Sequence, residues 1–78
     1  MVEVFSTNVK DYKEADFLLD HLGKQFPVYE MNFDLEDCDN ILRIKSDLET
    51  IEVIQIVEMV NNLGFVAEVL ADTFESIN

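Results

Sequence analysis

The stretch TIEVIQIVEMVNNLGF, Thr50 to Phe65, decides the fold. Its isoleucines and valines favour a strand, because branched side chains suit a pleated, half-buried surface. Its spacing points the other way. Polar residues fall at Glu52, Gln55 and Glu58, then at Asn61 and Asn62, in steps close to three. A half-buried strand would show steps of two, and the run is too long for an ordinary buried one. The spacing predicts a helix over Thr50 to Leu63. Val53, Ile56, Val57, Val60 and Leu63 make its core stripe, while Ile51, Ile54 and Met59 leave it apolar on more than one side. Gly64 followed by Phe65 fits a left-handed helix stop with an apolar residue just after it.

After this helix, FVAEVL gives a last strand, and ADTFESIN is a short polar ending whose Phe74 and Ile77 could fold back over the helix. Before it, ILRIKS reads as a strand. VYEMNFDLE alternates cleanly: Tyr29, Met31, Phe33 and Leu35 face one way, Glu30, Asn32 and Asp34 the other. EDCDN is a polar turn between these two, which makes them a hairpin. At the start, Val2 to Thr7 is rich in strand formers. Tyr12, Ala15, Leu19, Leu22 and Phe26, with Leu18 beside them, then fall on one side of a helix. Pro27 restrains Phe26 away from helical angles, so this helix should stop by about Gln25, and Gly23 could end it sooner.

The order strand, helix, strand, strand, helix, strand predicts an α+β, ferredoxin-like two-layer sandwich. One antiparallel sheet, in the spatial order fourth, first, third, second, carries both helices on one face. The expected organisation is a single domain over residues 1–71 and a polar tail over 72–78. Val2, Val4, Met31, Phe33, Leu35, Leu42, Ile44, Ala67 and Val69 are expected to face the helices. Phe5, Ile41, Val66 and Leu70 would then face outward as one apolar patch, rimmed by Glu3, Arg43, Lys45 and Glu68. Such patches commonly mark partner surfaces.

Composition narrows the function. The chain has 78 residues, of which 49% are hydrophobic, so it folds as one small domain with a thin core. Its net charge of −12, from 17 acidic and 5 basic residues, repels phosphate backbones and anionic lipid. Neither nucleic acid nor a membrane is therefore expected as a partner. No apolar run approaches the ~20 residues that span a bilayer. The start MVEVF lacks the basic opening of a signal peptide. Cys38 is the only cysteine and cannot form an internal disulfide, which fits a reducing compartment. The expected location is the cytoplasm.

The segments MNFDLEDCDNILRI and IVEMVNNLGFVAEVL resemble the second half of a heavy-metal-associated domain, the copper-chaperone-like fold. In that family a V-x-V-D strand precedes a hairpin, and a helix ending in A-G-Y/F-x-A leads into the last strand. Asn62-Leu63-Gly64-Phe65-Val66-Ala67-Glu68 is similar to that ending. The resemblance covers about Val2 to Leu70 and implies the same fold. It also implies a Cys-x-x-Cys pair at the start of the first helix, and this chain departs there. Counting back from the first helix's apolar face puts those positions at Asp11 and Glu14. Carboxylates are hard ligands and poor ones for Cu(I), so the family's metal role does not carry over. Local physics gives the segment another role. Asp11 can cap the first-turn amides and Glu14 can reach back to the amide of Asp11, a capping box that also suits the helix dipole.

The remaining candidates are weaker. Asp34, Glu36, Asp37, Asp39 and Asn40 crowd the hairpin around Cys38, and oxygen ligands at alternating positions can hold Ca²⁺. The loop lacks the turn glycine and final glutamate of an EF-hand, so a solvated turn is the simpler reading. His21 has no nucleophile or orienting partner in view. There is no glycine-rich phosphate loop. Acylphosphatases share the element order, but their substrate-binding arginine and its glycine-rich loop have no counterpart here. RNA-recognition domains share it too, and they need exposed aromatics amid basic charge. ACT-like ligand sensors would need a glycine after the first strand that is missing. The expectation is a non-enzymatic module without a cofactor, which forms a homodimer or binds a protein through Phe5, Ile41, Val66 and Leu70. The alternative is a divalent cation held by Asp11 and Glu14, or by Asp34, Asp37 and Asp39.

Overall fold

In the computed structural model, which describes residues 1–48 and 50–70, the disputed stretch is a helix. It spans Val53–Asn62. Ile56 and Val60, one turn apart, are fully buried, while Ile54 on the far side is 74% exposed. The helix starts later than expected, and Ile51 is buried in the non-helical lead that precedes it, its carbonyl accepting from the Val53 N–H at 2.8 Å. The reason is the cap. Glu52 at the N-cap makes no side-chain cap bond. Its N–H instead donates to the Tyr29 hydroxyl at 3.1 Å. At the other end Gly64 has φ 97°. The Phe65 N–H donates to the Val60 carbonyl at 3.1 Å and the Gly64 N–H to Asn61 at 3.0 Å. That pair of bonds is a Schellman motif, which needs the left-handed residue glycine supplies.

The elements in chain order are β1 (Val2–Thr7), α1 (Tyr12–Gln25), β2 (Glu30–Asp34), β3 (Ile41–Lys45), α2 (Val53–Asn62) and β4 (Ala67–Val69). The sheet order is β2-β3-β1-β4 and each pairing is antiparallel. This is the ferredoxin-like sandwich. Phe5, Leu42, Ile44 and Ala67 from the sheet meet Ala15, Leu18, Leu22, Ile56 and Val60 from the helices in one core cluster. Gly23 does not end α1, which runs on to Gln25 before Pro27.

The expected facing of β1 is wrong by one residue. Phe5 lies opposite Leu42 on β3 and Val69 on β4. Directly opposed residues of an antiparallel pair share a face. Phe5 is therefore on the helix side, at 0% exposure. Val2 and Val4 take the open side. A phenylalanine ring buries far more apolar area than a valine, so its position sets the register even though it brings Glu3 to the same face. Ile41 does lie on the open side, opposite Asp34, yet it is only 5% exposed. Neither residue can be a contact in the way expected. The open face carries Val4, Arg43 and Asn32 in one row, with the Arg43 guanidinium donating to the Asn32 side-chain oxygen at 3.3 Å. It is mixed and polar, not one apolar patch. Leu70 is half-buried beside it, its N–H donating to the Val4 carbonyl at 2.8 Å. Phe74 and Ile77 lie outside the described residues. Among the described residues no helix is long and apolar enough to cross a membrane.

Candidate functional site

The segment between β1 and α1 is held from both sides. The Thr7 hydroxyl donates to the Asn40 carbonyl at 2.6 Å and accepts from the Val9 N–H at 3.2 Å. The Asn8 side-chain oxygen accepts from the Val66 N–H at 2.8 Å, and the Asn8 N–H donates back to the Val66 carbonyl at 3.3 Å. Val9 is buried beneath. The segment is thereby tied to the β2–β3 hairpin on one side and to the approach to β4 on the other.

The capping box is present, shifted by one residue on its return arm. The Asp11 carboxylate accepts from the Glu14 N–H at 2.9 Å. The Glu14 carboxylate accepts from the N–H of Lys10, not of Asp11, also at 2.9 Å. The Asp11 carbonyl meanwhile takes the first helical bond, from Ala15 at 3.1 Å. Each carboxylate uses one oxygen on a backbone amide and keeps the other for solvent or a partner.

The tie between Asn8 and Val66 brings α1 alongside the turn after α2. Phe17 and Phe65 meet there, ring centroids 6.4 Å apart and tilted by 50°. Phe17 also packs on His21 at 4.5 Å. The Phe17 carbonyl lies 2.9 Å from His21 Nδ1 and can only accept, so that nitrogen carries the proton. A groove of about 450 Å³ opens over the two phenylalanines, lined by Asp11, Lys13, Glu14, Phe17 and Phe65. Phe17 is 44% exposed and Val66, beside Phe65 in the chain, is 49% exposed.

Of the expected surface, Val66 is exposed beside the groove but does not line it, Leu70 is half-buried, and Phe5 and Ile41 are lost to burial. The groove adds Phe17 and Phe65. Phe17 had a signal in the sequence, since it falls off the buried stripe of α1 at Ala15, Leu18 and Leu22. Phe65 had none, because the residue after a glycine stop is ordinarily a packing contact.

The acidic hairpin is explained locally. Asp34 accepts from the Glu36 N–H at 3.2 Å and Asp37 from the Asp39 N–H at 2.9 Å. These are turns closed by aspartate side chains. Asn40 adopts φ 49°, which asparagine tolerates better than most residues. Asp37, Cys38 and Asp39 are exposed, with ligand atoms within 4.8 Å of one another. Asp34 is outside that group. No protein-family model, curated protein or solved structure matches the chain.

Proposed function

We propose that this domain is a non-enzymatic protein-interaction module that engages a partner through the groove between α1 and the turn before β4. The fold would then be the heavy-metal-associated type with its thiolate pair replaced by a helix cap. The supporting observation is the groove floored by exposed Phe17 and partly buried Phe65, with exposed Val66 next to it in the chain. Exposed apolar surface of this kind is costly to leave in water and is commonly retained for a contact. No base, acid and nucleophile converge on the groove, and Asp11 and Glu14 are occupied as caps. A foreign partner fits better than a second copy, since each copy carries a net charge of −12. Its single cysteine fits a reducing, cytosolic setting.

Size-exclusion of the native extract tests this reading. Wild type should elute in a complex that Phe17→Ala or Val66→Glu dissolves. Ile54→Glu, an exposed substitution on α2, should leave the complex intact. Sedimentation of the purified chain tells a second copy from a foreign partner. A wild type that elutes only as free monomer ends the proposal. The second reading, a divalent cation on the hairpin, has the proximity of Asp37, Cys38 and Asp39 in its favour. Calorimetry with Ca²⁺, Mg²⁺ and Zn²⁺ at millimolar concentration decides it, because absence of heat would remove it.

A further inference from the structure

The groove is apolar at its floor and acidic at its rim, and this combination selects among partners. Its floor is Phe17 and Phe65, whose rings are tilted by 50° to one another, and aromatic rings attract cations placed over their faces. Its rim holds Asp11 and Glu14, each with one carboxylate oxygen outside the capping bonds. The positive end of the helix dipole, which would otherwise favour an anion here, is already answered by these two carboxylates. An anionic ligand would meet both at close range and the −12 field of the chain at long range. Lys13 lines the groove as well, and it offsets only one of the two charges. A purely apolar ligand would cover the rings but strip water from both rim oxygens with nothing in return.

We propose that the groove receives an arginine side chain from a basic segment of a partner protein, the guanidinium lying over Phe17 and Phe65 and bonding to Asp11 and Glu14. This rests on the interaction reading above and names the chemistry of its partner. Arginine fits better than lysine. Its planar, weakly hydrated head stacks on rings and offers several donors at once, whereas an ammonium is a compact, strongly hydrated point charge. The acidic surface around the groove would raise the rate at which such a segment arrives.

The test is amide NMR of the whole chain titrated with a blocked glycine–arginine–glycine tripeptide. The control peptide carries citrulline, which has the same shape without the charge. Saturable shifts at Glu14, Phe17, Phe65 and Val66 are expected at millimolar peptide. Citrulline should bind about five-fold more weakly or worse, the loss expected for about 1 kcal/mol of cation–ring attraction. The double variant Asp11→Asn with Glu14→Gln keeps both residues competent as caps and removes both charges. It should lose the preference for arginine while its helix signals stay in place. Equal binding of citrulline overturns the arginine assignment and leaves the interaction reading standing. So does absence of shifts in a chain whose native complex still depends on Phe17. Shifts spread over the acidic surface and unchanged in Phe17→Ala mean general charge attraction, and that also overturns it.

Discussion

Phe5 and Val66 carry opposite predictions. Phe5 heads the fully buried side chains by volume. Truncating it to alanine removes a ring from a thin core and should cost about 3–5 kcal/mol. Whole domains have only about 5–15 kcal/mol in hand, so Phe5→Ala should be close to unfolded in water. Val66→Glu, at an exposed position, should change stability by less than about 0.5 kcal/mol. Urea unfolding of the two variants checks both. Asp11 gives a subtler case. Asp11→Ala loses the cap on the Glu14 amide and should cost about 1 kcal/mol, while Asp11→Asn should be near neutral. In a domain of this size the alanine change lowers Tm by about 4–8 °C. Each of these residues could be placed on an element from the sequence. Which face Phe5 takes could not, because two valines and one phenylalanine compete in β1 and only the packed register shows that the ring wins.

The elements themselves were legible where periodicity was strong. Steps near three in α2 outweighed its branched residues, since Ile56 and Val60 on one face are worth more buried than their strand propensity costs. The first strand and the end of α1 before Pro27 were also readable, one from composition and the other from a backbone restriction. The start of α2 was not, because its cap comes from Tyr29, more than twenty residues upstream. The end of α2 is the sharpest test at this scale. No atom lies within 4 Å of where a Cβ would sit on Gly64, yet its φ of 97° is one that L side chains rarely adopt. Gly64→Ala should therefore destabilise by about 1 kcal/mol through backbone strain alone. Amide exchange should show the Phe65 N–H, bonded to Val60, losing protection before the middle of α2 does. Unchanged protection there would mean that the Schellman bonds do not hold this turn.

At the scale of the whole molecule, the fold assembles a site that no single segment announces. The loop that caps α1 is pinned through Asn8 to the approach to β4, and this tertiary tie joins the two segments that carry Phe17 and Phe65. The sequence placed the contact surface on the open sheet, where Arg43 and Asn32 instead form a polar row. The groove stayed hidden because its two rings lie 48 residues apart in the chain, 65 less 17. Asn8→Ala removes the side-chain half of the tie and keeps the backbone bond to Val66, so it should loosen the groove and weaken partner binding without emptying the core. Its check is the Phe17 and Phe65 ring shifts, which should move toward those of exposed rings. The central claim is that this groove is where a partner sits. A photo-reactive phenylalanine analogue at position 17, compared with one at exposed Leu48, tests it most directly in the native extract. The account predicts one discrete adduct from position 17, suppressed by excess unlabelled wild type but not by excess Phe17→Ala, and none from position 48. No adduct from position 17, or equal adducts from both, would contradict it.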